Sequence, residues 1–131
     1  MKKPLLLKKC AVYSVLSVGI SMMGSVQASL LEDVKSRDTL RCGVSSDKAG
    51  FSHLTDDGEW GGMDVDLCRS VAAAVLGDAS KVDFVITTAK NRFTALASGE
   101  VDVLARATTW TASRDANLGV DFTTPWFYDG Q

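Results

Sequence analysis

Thr111 and Arg114, near the end of the chain, have types and a spacing that could hold an anion. Thr111 is well placed to cap a short helix, because an N-cap hydroxyl accepts a hydrogen bond from a free N–H of the first turn. Arg114 would then lie in that turn, where the helix dipole favours anions over cations. A guanidinium, free N–H groups and two threonine hydroxyls could form a carboxylate clamp. The residues alone leave open a surface ion pair between Arg114 and an acid such as Asp115.

The preceding elements must bring this segment to a ligand. Alternating and helical apolar spacings predict the order β-α-β-α-β, which indicates an α/β fold with a mostly parallel sheet and right-handed crossovers. A short entry helix precedes it and a hairpin around Asp57-Gly58, of type I′, interrupts it. The predicted ranges are helix Ser29–Arg37, strand Thr39–Ser45, helix Asp64–Leu76, strand Lys81–Ile86, helix Asn91–Ser98, strand Val101–Ala105 and a brief strand Asp121–Phe122.

Ligands of open α/β sheets bind beyond the carboxyl ends of the strands. The loop after the first predicted strand therefore makes Ser45, Lys48 and Phe51 candidate pocket residues, with a solvated turn around Gly50 as the alternative. The polar loop Arg106–Thr109 follows the third predicted strand in the same way and leads directly to Thr111.

The helix predicted over Asp64–Leu76 has one apolar face, formed by Val65, Cys68, Ala72 and their neighbours. Asp64 is predicted to be its N-cap, and Asp66 suits the dipole of the first turn. Capping explains both carboxylates better than an acid/base pair does.

Residues 1–28 have the features of a cleavable signal peptide: four lysines, an apolar run to Val26 and a small-residue site that predicts cleavage after Ala28. The run is shorter than the ~20 apolar residues of a membrane span and is broken by serines, so an uncleaved anchor is the weaker alternative. All 16 acidic but only 10 of the 14 basic residues follow residue 28, which gives a net charge of −6. This charge argues against a nucleic-acid partner.

Two cysteines follow the signal segment, Cys42 on the first predicted strand and Cys68 on the helix expected to pack over it. A Cys42–Cys68 disulfide and two buried thiols are both open, since an exported chain can keep a disulfide. We expect no metal site, because the acids around Asp57 lack the spacing of a calcium loop and His53 has no metal-ligand neighbour.

An ordered set of motifs is similar to the family 3 periplasmic solute-binding proteins of ABC importers for polar amino acids, and most similar to the general L-amino-acid-binding subgroup. The segments that carry this resemblance are Leu-Arg-Cys-Gly-Val at 40–44, Gly-Met-Asp-Val-Asp-Leu at 62–67, Arg-Phe-Thr-Ala-Leu at 92–96, Gly-Glu-Val-Asp-Val-Leu at 99–104, Thr-Thr-Trp-Thr at 108–111, Arg114, and Tyr-Asp-Gly-Gln at 128–131. The resemblance covers 30–131. It implies a periplasmic, monomeric, two-lobed protein that closes over an L-amino acid and delivers it to a permease of the inner membrane, without a cofactor.

The resemblance also implies roles for single residues. Arg114 matches the arginine that grips the ligand α-carboxylate, and Thr109 matches the residue whose backbone N–H joins it. Ala107, or Arg106 before it, matches a strand-end position that meets the ligand. Relatives usually have Asn in place of Ala107, and often a stacking aromatic in place of Lys48, so the specificity for the ligand side chain is left open.

The resemblance places 29–131 in the N-terminal part of the first lobe. The chain ends on the aromatics Trp126, Phe127 and Tyr128, as if cut short before the second lobe. We therefore expect a fragment that alone binds amino acids weakly or not at all, because half a site cannot close over its ligand. A dehydratase-like enzyme on the same fold is the less favoured alternative, since no acid or base is evident for catalysis.

Overall fold

Residues 29–130 are described by the computed structural model, and the predicted signal peptide, residues 1–28, lies outside these described residues. The helices are α1 (Leu30–Arg37), α2 (Met63–Leu76), α3 (Arg92–Ala97) and α4 (Ala112–Asn117). The strands are β1 (Leu40–Val44), β2 (Asp47–Lys48), β3 (Ser52–Leu54), β4 (Trp60–Gly61), β5 (Val82–Ile86) and β6 (Val103–Leu104).

The main sheet is parallel, with the strand order β5-β1-β6, which confirms the predicted α/β class. The central strand β1 pairs with β5 along its whole length, from Leu40 opposite Val82 to Val44 opposite Ile86. Its other neighbour, β6, pairs only through Val103–Leu104. β1 therefore has a strand on each side, and these strands form hydrogen bonds with its backbone N–H and carbonyl groups. Buried backbone groups need such partners.

The third strand is shorter than the predicted range Val101–Ala105. Hydrogen bonds to β1 nevertheless continue beyond it, because the N–H groups of Asp102 and Ala105 donate to the carbonyl oxygens of Arg41 and Gly43, both at 2.9 Å. The hydrogen bonds to β1 therefore extend from Asp102 to Ala105, and only the regular pairing is confined to Val103–Leu104.

Helix α2 packs its apolar face on the sheet, as its periodicity predicts. Val65, Cys68 and Ala72 are fully buried there. One core cluster joins Cys42, Val44, Cys68 and Ala105, and a second joins Val34 of α1 with Leu40 and Ala72. Each fully buried valine of this kind stabilises the fold by about 1.5–3 kcal/mol.

A disulfide joins Cys42 of β1 to Cys68 of α2, with their Cα atoms 6.1 Å apart. This separation lies in the usual range for disulfides. Both residues are fully buried, so the bond links the central strand to the helix inside the core.

Strands β2, β3 and β4 form a small antiparallel sheet beside the start of α2. Its β3–β4 turn lies where the Asp57-Gly58 motif predicted a hairpin, but the predicted type I′ is wrong. Asp57 does not have a positive φ, whereas Gly58 has φ +83°. The N–H of Gly58 donates to the carbonyl oxygen of Thr55 at 2.9 Å, so the connection is a wider turn closed by a left-handed glycine.

The start of α2 also differs from the prediction. Gly62, not Asp64, is the N-cap, and no side chain caps the helix there. Gly62 has φ +112°, and a Cβ on it would lie 2.3 Å from the carbonyl oxygen of Phe51. Only glycine fits this close approach, so the backbone rather than a capping side chain determines where α2 begins. At the other end of the helix, Gly77 ends it in the left-handed conformation.

A buried ionic group links α1 to the sheet. The carboxylate of Asp102, 4% exposed, accepts hydrogen bonds from the guanidinium groups of Arg37 and Arg41 and from the backbone N–H of Arg41 at 2.8 Å. Both arginines are about one-third exposed, so their remaining N–H groups stay hydrated. Two guanidinium groups and one backbone N–H thus compensate the negative charge of the carboxylate, as burial of a charge requires.

The last part of the chain departs furthest from the predictions. The brief strand at Asp121–Phe122 is wrong, because residues 118–130 form neither helix nor strand. In α3 the buried residue is Ala95, whereas Ala97 is exposed. The aromatics Trp126, Phe127 and Tyr128 are exposed, as their sequence suggested.

Candidate ligand-binding site

The loops that follow β1 and β6 come together at the carboxyl edge of the parallel sheet, beside the start of α2. A broad cleft opens there, and its lining includes Phe51, Asp64, Arg106, Ala107, Thr108 and Thr109. This is the place that parallel α/β sheets use for ligands. The chain from Gly119 to Asp129 also lines the cleft and supplies most of its aromatic surface.

Arg114 adjoins this cleft through Thr109. Thr111 caps α4, and its hydroxyl accepts the N–H of Arg114 at 3.3 Å, as predicted. The guanidinium Nη1 of Arg114 donates to the carbonyl oxygen of Thr109 at 2.6 Å, and its Cζ lies 5.6 Å from the centre of the Phe93 ring. Within residues 29–130 Arg114 forms no salt bridge, so the alternative ion pair with Asp115 is not observed.

Three arginines converge near this end of the sheet: Arg92, Arg106 and Arg114. Arg92, like Arg114, contacts the Phe93 ring, with its Cζ 4.9 Å from the ring centre. Its Nη1 donates a hydrogen bond to the Thr108 hydroxyl at 3.2 Å. Burial, together with the positive charges of Arg114 and Arg106, lowers the pKa of Arg92. None of the three forms a salt bridge in the described part of the chain. Although Arg106 lies near the carboxylates of Asp64 and Asp47, the three arginines together form a positive region suited to an anionic ligand group.

Arg92 was not among the predicted site residues. Its Nε is buried and has no hydrogen-bond partner among the described residues. A signal was present in the sequence, because a helix that follows a parallel strand begins beyond that strand's carboxyl end, where Arg92 opens α3.

The loop from Arg106 to Thr109 is held by several hydrogen bonds. Arg106 Nε donates to the carbonyl oxygen of Thr87 at 2.9 Å, and the Thr108 hydroxyl donates to the carbonyl oxygen of Arg106 at 3.0 Å. Ala107 has φ +37°, a left-handed conformation that is uncommon for a residue with a Cβ. The backbone N–H of Thr109 donates to no acceptor within residues 29–130, so it is available to a ligand.

Asp64 lies under this loop with its side chain buried. Its carboxylate accepts the N–H of Ala107 at 3.2 Å and the hydroxyl of Ser52 at 3.4 Å. Burial raises the pKa of Asp64, against the opposite effect of these hydrogen bonds and of the nearby Arg106. The sequence explained Asp64 as a helix cap, and this loop contact has no sequence signal because its partners lie far apart in the chain.

The predicted residues of the first loop are placed differently. Ser45 is buried, with its N–H donating to the Ser52 hydroxyl at 3.0 Å and its own hydroxyl donating to Asp47 at 2.6 Å. Lys48 is exposed on β2, and neither Ser45 nor Lys48 lines the cleft. Phe51 lines it and packs edge-on against Phe127 at 5.2 Å between ring centres. Of the predicted residues, the structure thus brings Phe51, Arg106, Ala107 and Thr109 together, with Arg114 adjacent.

No group of three or more His, Cys, Asp or Glu side chains that could hold a metal ion occurs in residues 29–130. In the same range, no helix has both the length and the apolar character needed to cross a membrane.

Comparison with known proteins places the chain in a family. The family model of the bacterial extracellular solute-binding proteins, family 3, matches residues 40–131. The chain belongs to this family. It is 49% identical over 118 residues to the general L-amino acid-binding periplasmic protein AapJ of Rhizobium johnstonii, covering 90% of this chain and 34% of AapJ. It is 48% identical over 125 residues to the glutamate/glutamine/aspartate/asparagine-binding protein BztA of Rhodobacter capsulatus, covering 95% of this chain and 37% of BztA. The chain thus spans about a third of the length of these relatives.

Solved structures that are similar to this chain confirm the fold of a periplasmic binding-protein lobe. An ABC transporter/periplasmic binding protein from Brucella ovis with glutathione bound is 58% identical, with a TM-score of 0.70, and the match covers 72% of this chain and 30% of that one. A point mutant of the arginine-bound form of domain 1 from TmArgBP is 29% identical, with a TM-score of 0.59, over 65% of this chain and 64% of that one. An ancestral cyclohexadienyl dehydratase is 34% identical, with a TM-score of 0.61, over 69% of this chain and 36% of that one.

Proposed function

We propose that this chain serves as the substrate-binding component of an ABC-type amino-acid importer and binds the α-carboxylate of an L-amino acid. The observation that carries the proposal is the group formed by Arg92, Arg106 and Arg114, which has no salt-bridge partner in the described residues of a chain that is acidic as a whole. The positive charges of Arg114 and Arg106 disfavour the charged form of Arg92, and a bound anion would relieve this repulsion. The names of AapJ and BztA support an amino acid as that anion.

In this proposal Arg114 supplies the main contact to the carboxylate. One of its five N–H groups is used on Thr109, which leaves others free for a two-pronged bond to the ligand. The free N–H of Thr109 is the second donor. Arg106 and Ala107 form the rim beside it, and Phe51 offers an apolar surface to the ligand side chain. Ser45 and Lys48 would act only from the neighbouring loop.

The same proposal includes export and delivery. Residues 1–28 act as a signal peptide cleaved after Ala28, and the released monomer works in the periplasm with a permease of the inner membrane. No cofactor is needed, because capture and release of an amino acid involve no covalent chemistry. Intact mass of the periplasmic protein tests the cleavage: a chain that starts at Ser29 is expected, and a chain that retains Met1 would contradict it.

Carboxylate recognition can be tested with matched ligands. Titration of ¹⁵N-labelled protein with L-glutamine, L-glutamate and L-asparagine should produce saturable shifts of the Thr109 and Arg114 amide signals. The α-amides of the same amino acids lack the carboxylate and should produce none. Arg114→Ala should abolish the shifts at Thr109, whereas Arg69→Ala, which removes a guanidinium from α2 outside the cleft, should retain them. Equal binding of amino acid and α-amide would refute the proposal.

The affinity of the chain by itself is a separate question. We expect it to be weak, since a single lobe cannot close over its ligand and a free amino acid offers few atoms for binding. The arginine-bound domain 1 from TmArgBP is a case in which one domain of a relative holds its ligand. Calorimetry decides: micromolar affinity would overturn the expectation of weak binding while supporting the proposed function.

A dehydratase is the second candidate function, because an ancestral cyclohexadienyl dehydratase shares the fold at 34% identity. Asp64 and Asp102 are buried acids that line the cleft, but the carboxylates of both are occupied by hydrogen bonds from other residues of the protein. Turnover of prephenate by the purified protein would support this candidate. Binding of amino acids without any turnover supports the receptor.

A further inference from the structure

We infer that Asp64 is a positioning residue that fixes the loop Arg106–Thr109 in the conformation needed to bind a ligand. The inference rests on the proposed function, since it gives that loop its task. Asp64 itself makes no ligand contact in this arrangement. It acts through the backbone of Ala107, which lies between two of the candidate ligand-binding residues.

The carboxylate of Asp64 connects two parts of the cleft that are distant in sequence. It accepts the N–H of Ala107, 43 residues away, at 3.2 Å. It also accepts the hydroxyl of Ser52, which in turn accepts the N–H of Ser45. Ser45 follows β1, and Ala107 follows β6. A continuous chain of hydrogen bonds therefore joins the loops at the carboxyl ends of two neighbouring strands, through side chains that are buried.

The backbone at the start of α2 holds Asp64 in place for this role. The N–H of Asp64 donates to the carbonyl oxygen of Phe51 at 2.7 Å, and the N–H of Met63 donates to that of Gly50 at 3.0 Å. The close approach at Gly62 leaves no room for a side chain there. Because the backbone already determines the start of the helix, the carboxylate of Asp64 is free to reach the other loop instead of capping.

The loop needs such support because of the conformation of Ala107. Its φ of +37° lies in the left-handed region, which a residue with a Cβ does not prefer. An acceptor aimed at its N–H favours this conformation over the extended alternatives. The orientation of the peptide units that follow depends on the conformation of Ala107. Those peptide units carry the free N–H of Thr109 and the Thr109 carbonyl oxygen that accepts a hydrogen bond from Arg114. A change at Asp64 should therefore reach the ligand through the backbone.

Residue-resolved amide exchange and ligand titration on the protein recovered from the periplasm test this inference together. In Asp64→Ala we expect the exchange rate of the Ala107 amide to rise at least tenfold and the affinity for the L-amino acid to fall at least tenfold. Asp64→Asn keeps a hydrogen-bond acceptor, so its Ala107 exchange rate and its ligand affinity should lie between those of Asp64→Ala and the wild type. The matched control is Asp66→Ala, because Asp66 lies two residues later on the same helix with a 73% exposed side chain, and its variant should behave as wild type.

The amide of Thr87, bonded to the carbonyl oxygen of Val44 at 2.9 Å, reports on the core. Equal acceleration at Thr87 and Ala107 in both Asp64→Ala and Asp64→Asn would mean that Asp64 supports the fold generally, and the inference would be wrong. Unchanged exchange at Ala107, or faster exchange with unchanged affinity, would also overturn it. If the wild-type protein binds no amino acid, the proposed function fails for this chain by itself, and the exchange of Ala107 relative to Thr87 still decides whether Asp64 fixes the loop.

Discussion

The guanidinium group of Arg114 donates a hydrogen bond to the backbone carbonyl oxygen of Thr109, with 2.6 Å between Nη1 and the oxygen. This contact joins the first turn of α4 to the loop that lines the cleft. It restrains a long, flexible side chain before any ligand arrives. Such preorganisation increases affinity because less conformational entropy is lost on binding.

Arg114→Lys should show that the shape of this group matters as well as its charge. A lysine ammonium cannot bond the carbonyl oxygen of Thr109 and also present two parallel N–H groups to a carboxylate. We expect at least tenfold weaker binding, or about 1.4 kcal/mol, measured by calorimetry with an L-amino acid. Arg69→Lys is the control and should bind as wild type. Affinity of Arg114→Lys within twofold of the wild type would contradict the two-pronged contact.

Asp102→Asn should destabilise the fold and reduce its sensitivity to acid. Burial by itself would raise the pKa of Asp102, but the hydrogen bonds from Arg41 and the charge of Arg37 outweigh it, so the pKa lies below the ordinary 3.8. Breaking one partner of a buried ion pair costs about 3–5 kcal/mol. We expect a loss of unfolding free energy near the lower limit, because both arginines can be hydrated. Urea denaturation at neutral pH measures this loss.

The sign of the acid effect follows from this lowered pKa. The unfolded chain takes up a proton at Asp102 more readily than the folded one, so the stabilisation is present above pH 3.8 and is lost as the pH falls through the lower folded pKa. The difference in unfolding free energy between wild type and Asp102→Asn should therefore shrink with acidification. For the control Asp66→Asn, at an exposed position, the free energy of unfolding should change with pH in parallel with that of the wild type. A difference that stays constant down to roughly pH 2 would contradict the assignment.

Reduction of the Cys42–Cys68 disulfide should lower stability substantially. The bond closes a loop with a sequence separation of 26, for which the chain-entropy estimate is about 3–4 kcal/mol. Urea denaturation with and without dithiothreitol measures the loss, and a Cys42→Ala, Cys68→Ala double variant should not respond to the reductant. Protein cleaved after Ala28 should label no thiols when denatured without reductant. Two labelled thiols would show that the cysteines are not bridged.

The sequence was sufficient for features whose cause is local. The alternation of Leu40, Cys42 and Val44 and the apolar face of α2 predicted the central strand, its helix and the parallel sheet. Thr111 was recognised as a cap because its partner is three residues away. These predictions held because neighbouring residues determine them.

Features with distant causes were not predictable in this way. A carboxylate at the start of a helix suggests a cap, and nothing near Asp64 in the chain reveals a partner 43 residues later. The steric demand of Gly62 comes from the backbone of Phe51, which the local sequence does not place there. The strand predicted at Asp121–Phe122 was inferred from residue types alone. Tertiary contacts decide such positions, and they overrule local preference.

Ala107→Asn should stabilise the protein. Ala107 is exposed, so its methyl group contributes little packing, while its φ of +37° is strained for alanine and better tolerated by asparagine. We expect a gain of about 0.5–1 kcal/mol in the free energy of unfolding, measured by urea denaturation. The control is Ala73→Asn at an exposed position within α2, where the same change should cost about 0.5 kcal/mol or slightly more through lower helix propensity. If both variants lose stability equally, the left-handed conformation at Ala107 is not a source of strain.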